Sequence, residues 1–229
     1  MYESLALEHA STVERVAEAL RRGLFAGDLG PGTPLREVAL AESLGVARST
    51  VREALQVLTG EGLLTRLPHR GVVVTTHDPD AVHDVVHARA VLEVAGVRGW
   101  PDASERDRQG VRDAVDSYES LAARSGTAES PTAQEVAESH LAVHVALVGL
   151  TGSARLVGVA ESLAAEIRLA LAHVDRLRDD LPVQVANHRD LVERLEAGDV
   201  DGVATRLHTH LAGAENSIRV ALTRLPGST

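Results

Sequence analysis

Residues 41–51 read Ala41-Glu42-Ser43-Leu44-Gly45-Val46-Ala47-Arg48-Ser49-Thr50-Val51. Two helix-forming segments meet here across a glycine. Ala41 is small enough for the second helix to cross the first closely, and Gly45 falls where such a turn requires a positive φ. Val46 and Val51 are placed to plug the two helices together. Arg48, Ser49, Thr50 and Arg52 then occupy the leading end of the second helix, the end that enters the major groove in a helix-turn-helix. Arg reads guanine or holds phosphate, and Ser and Thr suit phosphate or base edges. Taken alone, an Ala-x3-Gly spacing is common, and these arginines equally describe a solvated face.

The flanks favour the DNA reading. Upstream, Val13, Val16, Ala17, Leu20 and Leu24 recur at helical spacing and predict a helix over 8–26, ended by Gly27, Gly30, Pro31 and Gly32. Helices over 36–43 and 48–60 follow. Downstream, Leu63-Leu64-Thr65-Arg66 and Val72-Val73-Val74-Thr75 flank the turn Pro68-His69-Arg70-Gly71. Short β-prone runs around a Pro/Gly turn predict a hairpin. Arg66, His69 and Arg70 cluster at its tip, as in a wing that reaches the backbone or minor groove. From residue 80 only helical periodicity remains, predicting helices over 80–98, 103–124, 131–149, 153–178, 182–197 and 200–223. The expected fold is mainly α. A winged helix-turn-helix of three helices and a β-hairpin spans 1–76, a linker 77–82, and an all-α antiparallel helical bundle 83–229.

Composition narrows the function. Aromatic residues are only 2%, so the core rests on Leu, Val and Ala, and stacking platforms for single-stranded nucleic acid are lacking. There is no cysteine, which excludes disulfides and thiolate metal sites and fits a cytoplasmic location. No apolar run reaches membrane-spanning length, and residues 1–10 lack the basic start and long apolar stretch of a signal peptide, so no membrane partner is expected. The net charge of -10 looks wrong for a DNA binder. It is unevenly spread: residues 1–76 hold 8 Arg and 9 acidic residues, whereas 77–229 hold 15 Arg and 24 acidic residues. The acidity therefore sits away from the proposed DNA surface. Every basic residue is Arg, which reads as a genome-wide bias rather than a binding signal.

Pro31-Gly32-Thr33-Pro34-Leu35-Arg36-Glu37, then Leu40 through Leu55, then Glu61-Gly62-Leu63-Leu64 and His69-Arg70-Gly71 closely resemble the GntR family of regulators, over roughly 13–76. The resemblance implies a dimeric transcriptional regulator, more often a repressor, on a palindromic operator in double-stranded DNA. It also implies Arg36, Arg48, Ser49, Thr50, Arg52, His69, Arg70 and Gly71 as DNA contacts. Val38 stands where many relatives carry a base-reading Arg, and Ala47 where Ser or Thr is usual, so the operator sequence does not carry over.

Nine of the 11 histidines lie after residue 76. His140 and His144 share a helix face and form a workable two-ligand clamp for a divalent metal. His188 and His210 lie on later helices that a bundle can bring to the same point. Paired histidines also arise by chance in a His-rich chain, as at His83 and His87. Arg89-Ala90-Val91-Leu92-Glu93, His144 through Ser153, and Asn187-His188 through Asp199 leading to His210 resemble the FCD effector domain of the same family. Many such domains bind a metal through an Asp and three His. His144, His188 and His210 align with the three, and His140 with the Asp. The missing carboxylate disfavours Mn and Mg and favours Zn, with Ni second. The spacing alone makes Arg89 a surface partner of Glu93; the resemblance turns it toward the pocket, where it suits a small organic acid. An enzymatic reading, a metallohydrolase, lacks a general base: Glu138, two residues from His140, points to another face. A sequence-neutral architectural DNA protein would need broad positive charge.

Overall fold

Ser11 opens the first helix by accepting the Glu14 N–H on its hydroxyl at 3.2 Å. The computed structural model describes residues 11–68, 71–76, 78–177 and 181–223, with side chains excepted at 172–177 and 221–223. The chain folds as two compact units, Met1–Thr76 and His77–Thr229.

In the first unit, α1 runs Thr12–Ala26, α2 Glu37–Leu44 and α3 Arg48–Gly60. Val16, Ala17, Leu20 and Leu24 of α1 bury against Val51, Ala54, Leu55 and Leu58 of α3. Gly45 ends α2 at φ +66°, the left-handed conformation expected of it. Val51 is fully buried and Val46 half-buried. Arg21 ties α1 to the end of α3: its Nε and Nη2 donate to Glu61 at 3.1 and 2.7 Å, and Nη1 to Glu18. The hairpin forms from β2 (Leu64–Leu67) and β3 (Gly71–Val74). A third strand not expected from the sequence, β1 (Pro34–Leu35), pairs antiparallel with β3, giving the order β1-β3-β2. Two residues are too few to show a period of two, and Pro34 is tolerated because β1 is an edge.

The second unit is a bundle of α4 (Pro79–Arg98), α5 (Glu105–Ala122), α6 (Ala133–Gly149), α7 (Ala154–Leu177), α8 (Leu181–Glu196) and α9 (Val200–Thr223). A 3-10 turn at Trp100–Asp102 follows α4. Asp78 caps α4 and Pro79 begins it, so residues 79–82, read as linker, form the first turn of the bundle. Val82 is already 1% exposed there. Helix α6 packs against α4, α5 and α7, and α4 also packs on α9. Gly96 makes the α4–α6 approach unusually close: a Cβ on it would collide with the Leu147 carbonyl oxygen. Among the described residues no helix is long and apolar enough to cross a membrane.

Candidate metal centre and nucleic-acid face

One turn before Gly96 stands Glu93, and one turn before Leu147 stands His144. The close approach of α4 and α6 brings them together: His144 Nδ1 lies 2.7 Å from Glu93 Oε2. Around His144 converge His140 from α6, His188 from α8 and His210 from α9. One ligand atom of each of the four lies within 4.8 Å of every other. His140, His144 and His188 are 1–3% exposed, and His210 is half-buried. Tyr118 of α5, fully buried, stacks on His140 and meets His188 edge-on, with both ring centroids at 5.6 Å.

Hydrogen bonds fix which nitrogens face inward. His188 Nδ1 sits 2.7 Å from the Gln184 carbonyl, which can only accept, so Nδ1 carries the proton. Burial, then the charges of His140 and His210, hold His188 well below its ordinary pKa. Burial, then Arg89 and the neighbouring histidines, do the same to His144. Burial thus favours the neutral form of both rings, and where Glu93 accepts the His144 Nδ1–H both Nε2 lone pairs point inward. Those two atoms are 3.2 Å apart, and His144 Nε2 is also 3.2 Å from His140 Nε2. Two lone pairs at that distance repel unless a cation lies between them. Zn–N bonds of about 2.0–2.1 Å place tetrahedral ligand atoms about 3.3 Å apart. The donor set therefore fits a divalent metal, and the Glu93–His144 bond is the carboxylate–histidine pairing that orients a ligating imidazole.

Arg89 is 4% exposed, and its Nε donates to Glu93 Oε1 at 3.0 Å. The i,i+4 pair read from the sequence exists, but in the interior rather than on the surface. Burial pushes the Glu93 carboxyl up to about 7 against the pull of Arg89. Glu138 is exposed and pairs with Gln134 and Arg168, on another face as expected. Among the described residues, the carboxylate in contact with the four-histidine cluster is Glu93, and both its oxygens are engaged. Sequence reasoning treated Glu93 only as a partner of Arg89, and overlooked Tyr118 and Gln184. Glu93 was visible one helical turn after Arg89, but its approach to His144 depends on how α4 crosses α6.

On the first unit, Arg48 and Arg52 stand exposed on the leading turns of α3. Arg52 Nε and Nη2 donate to Glu37 Oε1 and Oε2 at 3.0 and 2.7 Å, and Arg48 Nη2 lies 3.9 Å from Glu37. The Arg52 hydrogen bonds hold the Glu37 carboxyl below the usual carboxylate range, with Arg48 and Arg66 adding to the pull. Glu37, which closes the Pro31–Glu37 stretch but was given no role there, thus gathers the recognition-helix arginines. Ser49 and Arg36 are exposed and Thr50 half-buried. Gly71 opens β3 at φ +82°. His69 and Arg70 lie outside the described residues.

A winged helix-turn-helix joined to a helical bundle with a polar, histidine-lined interior defines a DNA-binding regulator that carries its own sensing domain. Residues 12–74 match the family of bacterial regulatory proteins, gntR family, and residues 84–213 match the FCD domain. The chain is 31% identical over 206 residues to an uncharacterized HTH-type transcriptional regulator in an unstable DNA locus of Streptomyces ambofaciens, covering 87% of this chain and 81% of that one. It is 28% identical to the "Probable D-xylose utilization operon transcriptional repressor" of Paenarthrobacter nicotinovorans, over 90% and 88% of the two chains. A solved GntR regulator from Rhodococcus sp. RHA1 superposes with a TM-score of 0.69 at 28% identity, over 91% of this chain and 97% of that one. The chain belongs to the GntR family of transcriptional regulators, in its FCD-containing branch; it is a regulator, not an enzyme.

Proposed function

We propose that this regulator is a cytoplasmic, metabolite-responsive repressor acting as a homodimer on a palindromic operator. The observation that carries the sensing half is the facing Nε2 atoms of His144 and His188, held by Glu93 and Gln184. His140, His144, His188 and His210 would hold a divalent cation. An all-imidazole set favours zinc, with nickel second, over magnesium or manganese. The ion would supply positive charge beside Arg89, favouring an anionic effector such as a small organic acid. Arg89 would bind the effector's carboxylate through the guanidinium edge that Glu93 leaves open.

Recognition would use Arg48, Ser49, Thr50 and Arg52 at the leading end of α3, with Arg36 near phosphate and His69, Arg70 and Gly71 on the wing. Glu37 supports this reading by holding the Arg52 side chain in one direction before DNA arrives. Effector binding controls DNA only if it favours one placement of the two DNA units over another.

Footprinting of the full chain on the DNA upstream of its own gene, with metal analysis of the same preparation, tests the proposal. The expected result is a discrete protected site with two-fold symmetry and stoichiometric zinc, lost in His188→Ala. Uniform coverage of any DNA, or a protein that takes up neither zinc nor nickel, would overturn it.

A further inference from the structure

We infer that the effector is an amphipathic monocarboxylate whose apolar tail runs outward between α6 and α7 into a surface groove. This rests on Arg89 as the carboxylate anchor. Arg89 is buried, yet its Nη2 has no hydrogen-bond acceptor among the described residues. A buried guanidinium N–H left without a partner is costly and calls for one. The cavity that Arg89 lines with Glu93 and His144 is about 10 Å³, room for a single water. An organic acid needs more space than that.

Val145 of α6 and Ala164 of α7, which wall this cavity, also line an open groove of about 480 Å³. Its floor is apolar and made of small side chains, Ala142, Ala146 and Ala165 beside Leu141. The charged groups lining the groove are Glu138 and Arg168, paired at 3.3 Å, and Glu161. A small displacement of α7 from α6 at Val145 and Ala164 joins the two spaces. A ligand with its carboxylate at Arg89 then satisfies Nη2 and lays its chain on the alanines. Glu138 and Glu161, which line the groove, would repel a second carboxylate on that chain.

Calorimetric titration of the full chain in zinc-containing buffer with acetate, butyrate, hexanoate and octanoate reads this directly. Affinity is expected to rise about three- to fourfold per methylene. Ala142→Trp and Ala165→Trp, which fill the groove, should flatten that rise while leaving acetate binding unchanged. An unaltered melting temperature without ligand shows that each variant is folded. Equal affinity at every chain length, or tighter binding of succinate than of hexanoate, overturns the tail assignment and leaves the Arg89 anchor standing. Binding of no carboxylate at any length overturns both.

Discussion

Glu93 shows how one carboxylate serves two partners. One oxygen accepts the Arg89 Nε–H and the other lies 2.7 Å from His144 Nδ1. Glu93→Gln keeps an acceptor but loses the charge that raises the basicity of the imidazole. Zinc affinity, measured against a competing chelator, should fall about 10–100-fold, with His140, His144, His188 and His210 intact. Arg48 carries the parallel test on the DNA side. It is more exposed than Arg52, and its approach to Glu37 is looser. Arg48→Ala should cost about 1–3 kcal/mol of operator affinity if the side chain reads a base, seen in a mobility-shift titration at fixed salt. Unchanged affinity in both Arg48→Ala and Arg52→Ala would remove α3 from the reading surface.

Helix crossings set the geometry that those residues use. Helix α4 meets α6 where Gly96 faces the Leu147 backbone, one turn from the Glu93–His144 bond. Gly96→Ala puts a methyl where no gap exists, so the helices must separate. The expected cost is about 1–3 kcal/mol of stability, together with weaker zinc binding as Glu93 is drawn from His144. Chemical denaturation and zinc titration of the variant check the two effects. In the first unit Gly45 plays a local role instead: it turns the chain between α2 and α3 at a positive φ, and beyond its own chain neighbours nothing lies within 4 Å of the place a Cβ would take. Its requirement is conformational and readable from the sequence, whereas that of Gly96 is steric and visible only in the folded bundle.

Across the whole molecule, the histidine cluster and the helix-turn-helix lie on different units. Zinc at a hundredfold excess over its dissociation constant should stabilise the histidine-bearing unit by about 2.7 kcal/mol. For a unit of this size that corresponds to about 5–10 °C in melting temperature. Chelation should lower the transition of the His77–Thr229 unit and leave that of Met1–Thr76 in place, as followed by calorimetry. A single transition moving as one would show instead that the units unfold together.

The helices, the turn at Gly45 and the hairpin were legible from the chain alone, because they follow from local periodicity and from backbone preferences that a few neighbouring residues impose. Residue type and helical spacing also nominated His140 and His144 as a pair. Folding in three dimensions settled what spacing could not express: the two-residue strand at Pro34, the burial of the Arg89–Glu93 pair, and the meeting of Glu93, Tyr118 and Gln184 with histidines far away in sequence. Those depend on where helices cross, and a crossing is fixed by steric fit between distant segments, such as Gly96 on Leu147.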